Sequence, residues 1–264
     1  MLNLFDYEFM RNAFAAATIV AIVSGSIGYF LVLRGETFAG HALAHVGFPG
    51  ATGAVLIGIS PFAGLIVFTL AAGVGISLIG EKAQRDVAIG LVLTLSLGLG
   101  LLSLHFYTAY AGAATNLLFG NVLGISQQTV WILVGLAVVT LAALAVISRP
   151  LLFASLQPEL AEARGVPTNR LAAAFMLVVA LATAQATQVV GVLLVFALMV
   201  APAATALRLS RRFSVGFALS IALAVGIAWI SLLLAYATDW PTSFWITALG
   251  GAAYGASFLR RRRA

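Results

Sequence analysis

The chain has 264 residues, of which 62% are hydrophobic and 8% charged, with a net charge of +6 and a mean hydropathy of +1.10. Soluble domains carry about 25% charged residues, so this composition excludes an ordinary soluble protein and defines an integral membrane one. The absence of cysteine excludes disulfides, thiolate metal sites and cysteine nucleophiles. The positive charge does not signal nucleic acid, because the bases sit between apolar segments and not on one soluble surface.

In chain order, residues 1–11 carry Asp6, Glu8 and Arg11 before a long apolar run, which is unlike a cleavable signal peptide. A helix needs roughly 20 apolar residues to cross a hydrocarbon core of about 30 Å. Nine such segments are predicted: 10–33, 38–59, 61–80, 87–106, 127–148, 171–186, 189–207, 214–236 and 241–259. Ser60-Pro61 divides the stretch 38–80, since proline breaks helices. The polar run Thr183 to Gln188 divides 171–207. The longest charged stretch, 149–170, is too short to build a core of its own, so residues 1–264 form a single domain.

Charge tests this division. The loops after the first, third, fifth and seventh segments hold Arg34; Lys82 and Arg85; Arg149, Arg164 and Arg170; and Arg208, Arg211 and Arg212, and the tail holds Arg260 to Arg263. If every segment crosses, 13 of the 14 bases lie on one side and only Arg11 on the other. The positive-inside rule then predicts nine crossings, an outside N-terminus and a cytoplasmic C-terminus. Eight crossings with one re-entrant segment is the alternative. Lipid offers the backbone no hydrogen bonds, and too few segments alternate for a barrel. The expected fold is therefore all-α, a polytopic transmembrane helical bundle. Among the 26 glycines, Gly251 with Gly255 and Gly25 with Ala21 form small pairs expected at close helix crossings.

Two stretches lie between crossings. Residues 107–126 form an uncharged outer segment, in which Gly120, Asn121 and Gly124 suit a turn or short helix. Residues 149–170 lie inside, and within them PELAEARGVP reads as one short helix. Pro158 fits its first position, Glu159 and Glu162 its early turns, and Gly165 its stop. Such a helix is either an ordinary surface element or a docking element for a cytoplasmic partner.

Chemistry inside the bilayer is sparsely provided. The one lysine, Lys82, follows Glu81, so no phosphate-binding G-K-[ST] exists. All eight acids fall in predicted loops or the terminus. His41 and His45 remain, within FAGHALAHVGFPG. Four residues apart on a helix, they share a face with Cβ atoms roughly 6 Å apart, a spacing that lets two imidazoles hold one metal. Measured from Arg34, His45 lies ~16 Å deep, near the middle of a bilayer. Ionisable groups there mark a pathway or a site by default. His105 ends the fourth segment near Tyr107 and Tyr110 and reads as interfacial. Thr183, Gln185, Thr187 and Gln188 either line an outer vestibule or satisfy backbone groups at the helix break.

Four stretches, in order, resemble one family. FAGHALAHVGFPG resembles the G-D-A-L-S-H-x-x-L-P-G signature of permease subunits of ATP-binding-cassette importers for zinc, manganese and iron. NLLFGNVLGIS resembles that family's outer segment, PELAEARGV its cytoplasmic coupling segment, and QVVGVLLVFALMVAPAATA its late V-G-x-L-L-V-x-A-L-L-x-x-P-A-A-T-A helix. The likeness covers roughly residues 9 to 258. It implies a homodimer of permeases in a bacterial plasma membrane, two separate cytoplasmic ATPase subunits and an external metal-binding protein. It implies no permanently bound cofactor, since the metal is cargo. It places the ATPase contact at Pro158, Glu159, Leu160, Glu162, Arg164 and Gly165. It makes the signature histidine, here His45, and the signature aspartate, here His41, the residues that meet the metal.

The departure at residue 41 has physical weight. A divalent ion in low dielectric is helped by a carboxylate, whereas imidazole suits zinc and carboxylate suits manganese. Zinc is therefore the favoured cargo, with manganese and iron as alternatives. Two other functions are open to the sequence. A stand-alone secondary transporter or channel would show internal repeats, and none is clear. An intramembrane enzyme would need a general base that is not visible.

Overall fold

The computed structural model describes residues 6–78, 82–106, 118, 120–192 and 194–261. Ten helices make up the described chain, with no strand among the described residues. They are α1 (Glu8–Leu33), α2 (Thr37–Leu56), α3 (Pro61–Leu78), α4 (Lys82–His105), α5 (Gln127–Leu156), α6 (Pro158–Ala163), α7 (Thr168–Val190), α8 (Val195–Leu209), α9 (Phe213–Thr238) and α10 (Thr242–Arg261).

Each of the nine predicted segments coincides with a helix, but six are long and apolar enough to cross a membrane: α1, α3, α4, α5, α7 and α9. The 15 residues of α8 rise only about 22 Å, short of a hydrocarbon core. The all-α bundle expected from composition is therefore present, while nine crossings are not established by length and hydropathy.

Local chemistry explains the boundaries. Gly58, at φ 74°, turns the chain after α2, and Pro61 opens α3, where its missing N–H costs nothing. Ser126 caps α5, its Oγ accepting from the Thr129 N–H at 3.2 Å. Asn121 Oδ1 accepts from the Gly124 N–H at 3.0 Å and closes the short turn Val122–Gly124. That turn is the one expected in the segment 107–126; residues 107–117 and 119 of that segment lie outside the described residues.

Two predicted boundaries move. The polar run 183–188 does not interrupt a helix, because Thr183 and the Gln185 amide nitrogen find partners within the bundle. The Thr183 hydroxyl donates to the Val179 carbonyl at 2.7 Å. Gln185 Nε2 donates to Thr140 Oγ1 on α5 at 2.7 Å and to the Leu181 carbonyl at 3.2 Å. Thr183, Gln185 and Thr187 are buried and line no vestibule. The break falls at Gly191, whose φ of 88° only glycine adopts freely. The second change is at α5, which runs through Arg149 and Pro150 to Leu156, so the non-helical inner connection is shorter than 149–170.

α1 and α7 form the centre: 72% of each apolar window is buried, against 17% in α4. α1 packs on α9, α8, α5 and α7, while α2, α3 and α4 pack on one another, with α2 and α3 reaching α7. Close approach is built from glycine. A Cβ at Gly28 would meet the backbone carbonyl of Met199 on α8, and one at Gly64 the carbonyl of Gly50 on α2. Gly25 sits against Ile221 on α9, and the Ser220 hydroxyl donates to its carbonyl at 2.7 Å. Gly251 and Gly255 meet nothing within 4 Å, so the close packing expected there is not made within this chain. The outer face of α4, with Val87, Leu91, Leu95 and Leu102 exposed, is apolar surface suited to a hydrocarbon solvent.

The two ends of the bundle can be told apart. Val32 at the end of α1 lines one cleft with Arg208 in the last turn of α8 and Arg211 just beyond it, and Arg34 reaches Ser155 at the end of α5. Phe9 and Met10 at the start of α1 line another cleft with Asn121, Tyr236 and Asp239. The C-terminal ends of α1, α5 and α8 thus share one end of the bundle, and the outer turn lies at the other.

Candidate functional site

α2 carries the histidine pair, and its neighbours fix how the pair is presented. Gly47 and Gly50, on the side of α2 away from the histidines, let it seat against Leu65, Phe68 and Gly64 of α3. The histidines occupy the other side. Their ring centroids are 4.7 Å apart at 73°, so the helical spacing brings both imidazoles into contact on one face. His41 also meets Phe196, in the first turn of α8, at 5.0 Å. The pair therefore sits where α2 meets α8, half-buried, about 6 and 12 Å along the axis from Thr37.

Its polar atoms are poorly satisfied by protein. The Nδ1 atoms of His41 and His45 are both buried and without a hydrogen-bond partner. Such atoms cost roughly 1–3 kcal/mol each unless something else pairs with them, so they fit a site that binds a transient guest. Pro49 removes one hydrogen bond from α2. It lies four residues after His45 inside α2, where its absent N–H removes the usual donor to the His45 carbonyl. The site thus offers imidazole nitrogens as its unpaired donors.

No carboxylate joins them. Among the described residues no three of His, Cys, Asp and Glu gather closely enough to hold a metal. Glu36, the acid nearest in sequence, is engaged elsewhere: it takes Arg34 Nη2 at 3.0 Å and Nε at 3.2 Å. The same guanidinium reaches Ser155 Oγ at 3.4 Å and lies 5.5 Å from the Phe175 ring on α7. This cluster ties the α1–α2 turn to the end of α5, and sequence reasoning missed it because its members are up to 141 positions apart. Phe196 was missed for the same reason. His105 is exposed at the end of α4 and packs on Phe106 at 5.5 Å; Tyr107 and Tyr110 lie outside the described residues.

The other predicted surface is a separate place. Pro158 occupies the first turn of α6. The helix closes with Gly165 at φ 76°, its N–H donating to the Glu162 carbonyl at 2.9 Å and the Val166 N–H to the Ala161 carbonyl at 3.0 Å, a glycine stop of the usual kind. Ala161 faces inward, while Pro158, Glu159, Leu160, Glu162, Arg164 and Gly165 are all exposed. Glu162 accepts from the Thr168 hydroxyl at 3.2 Å. The helix is exposed and follows directly on the end of α5, which carries Ser155 of the Arg34 cluster. Substituting Glu159 and Glu162 together by Ala is expected to lower ATPase stimulation severalfold in a reconstituted complex while leaving the isolated chain folded; turnover measured with and without the permease tests this.

A helical bundle with six helices long and apolar enough to cross a membrane, a histidine pair inside it and an exposed short helix at one end fits the membrane subunit of a transporter. The comparisons agree. The chain matches the ABC 3 transport family over residues 6–261. It is 35% identical over 217 residues to the "Manganese transport system membrane protein MntC" of Listeria monocytogenes serovar 1/2a, covering 80% of this chain and 76% of that one. It is 32% identical over 239 residues to the "Manganese import system permease protein ScaB" of Streptococcus gordonii, covering 89% and 84%. The solved structure "PsaBC from Streptococcus pneumoniae in complex with Fab" superposes with a TM-score of 0.86 at 28% identity, over 97% of this chain and 93% of that one. The chain belongs to the ABC 3 transport family. It is a multi-pass membrane permease of the metal-type ABC transporters, as the four motifs implied, and not an enzyme; ATP hydrolysis belongs to a separate subunit.

Proposed function

We propose that the chain is the permease subunit of an importer that moves a divalent transition metal, manganese first among them, into the cytoplasm. The observation that carries this reading is the pair His41 and His45, in mutual contact inside a family permease, with both Nδ1 atoms unpaired. Donor chemistry alone favoured zinc, because imidazole was the one side-chain ligand in view. The relatives are named for manganese, and that shifts the reading.

Two neutral imidazoles bind loosely and bring no compensating charge, which favours release over storage. A second copy of the chain would double the donors, so a homodimer holding the ion between its α2 helices is part of the proposal. Two ATPase subunits would grip α6, and an external metal-binding protein would deliver the ion at the opposite end. Movement of α6 would reach α2 through the last turn of α5, Ser155, Arg34 and Glu36. The positive-inside rule puts the arginine-bearing end in the cytoplasm.

Uptake into vesicles by the reconstituted complex, with manganese, zinc and iron in competition, tests the reading. ATP-dependent entry of manganese is expected; entry into vesicles containing the permease without ATPase would overturn it. His41→Asp restores a charge beside His45, and should raise the ratio of manganese to zinc uptake severalfold in the same assay. An unchanged ratio would remove residue 41 from metal selection.

A further inference from the structure

At the arginine-bearing end of the bundle, the C-terminal ends of α1 and α8 and the side of α10 enclose a cleft of about 280 Å³. Its walls are Val32, Ala204 and Leu207, and its rim carries Arg208, Arg211 and Tyr254. No acid lines it, and neither arginine has a carboxylate partner among the described residues. α10 ends in Arg260 and Arg261, and the sequence continues with two more arginines of the same sign.

Arg208 is held in place. Its Nε donates to Ser257 Oγ at 3.1 Å, and its guanidinium carbon lies 3.5 Å from the Phe258 ring centroid and 5.9 Å from that of Tyr254. A guanidinium has five N–H donors, and only the one on Nε is used by Ser257. Stacking between α8 and α10 fixes the plane of the group, so a ligand meets a charge already oriented. Arg211 is exposed at the same rim.

We propose that this cleft binds the phosphate of an anionic phospholipid. The arrangement is amphipathic in the required sense. Apolar residues lie toward the helix bodies, where acyl chains run, and two cationic forks lie at the helix ends, where headgroups are. Arginine pairs with phosphate through two parallel hydrogen bonds, and basic pockets between membrane helices bind anionic headgroups. A free phosphate would satisfy the arginines but leave Val32, Ala204 and Leu207 unused, which is why the lipid is the occupant.

The test is native mass spectrometry of the full chain in detergent, titrated with phosphatidylglycerol or with phosphatidylcholine. Tighter binding of phosphatidylglycerol is expected. Arg211→Gln should weaken it about fivefold, the loss of one arginine near a headgroup, while Arg212→Gln, exposed but outside the cleft, should change it less than about twofold. Arg208→Gln is not the primary variant, because Arg208 also ties α8 to α10. Equal effects of the 211 and 212 substitutions would overturn the site in favour of diffuse surface charge. Equal binding of the two lipids would overturn it outright. Displacement of phosphatidylglycerol by inorganic phosphate would assign the arginines to the free anion and overturn the lipid.

Discussion

His45→Ala is expected to reduce metal uptake by roughly tenfold or more, the scale of losing a group that matters to a metal site, while assembly with the ATPase is retained. His45 supplies one of two side-chain nitrogens on this face of α2, and its Nδ1 has no protein partner to lose. Removal of the ring therefore breaks no hydrogen bond of the fold. It leaves His41, packed between the former ring position and Phe196, as a single weak ligand. The measurement is initial uptake rate in vesicles, beside co-purification of permease and ATPase. Full uptake in this variant would reject the site; lost co-purification would show a folding defect instead.

Gly28→Val carries the largest expected effect on stability. A Cβ at residue 28 would lie on the backbone carbonyl of Met199, and a carbonyl within a helix cannot rotate aside as a side chain can. Overpacking typically costs about 1–3 kcal/mol, and two further methyl groups take this position to or beyond the upper end. The consequence spreads, because Met199 lies one turn from Phe196 on α8, the residue that borders His41. A fall of several degrees in the melting temperature of the purified chain is expected. Gly53→Ala is the comparison: nothing lies within 4 Å of its added Cβ, and it should unfold like the parent. Equal melting of all three would mean that α1 and α8 are not held at this distance.

These two residues differ in how they can be found. His45 is legible in sequence, because a polar group in an apolar segment is costly and because i and i+4 share a helix face. Gly28 is one glycine among 26, and nothing local shows that it faces a carbonyl from 171 positions later. The short helix at Pro158–Ala163 was legible for a local reason too: its proline start and glycine stop are backbone rules. The break near residue 190 is not legible from polarity, which points instead to residues 183–188. Inside a bundle, Thr183 and Gln185 bond to carbonyls and to Thr140, so the helix continues until a glycine allows the backbone to reverse its φ. Donor type is visible in the sequence and points to zinc, whereas the relatives are named for manganese.

By itself the sequence determined that this protein is a helical membrane bundle, that two imidazoles share one face of its second helix, and that a short helix closes at Gly165. Each of these follows from hydropathy, helical period or backbone preference, which act over a few residues. The tertiary structure decided what the face of α2 meets, which acid is withheld from it by Arg34, where glycines let helices touch, and which arginines gather around one cleft. Those are contacts between residues far apart in the chain, and only the packing of one helix on another brings them together.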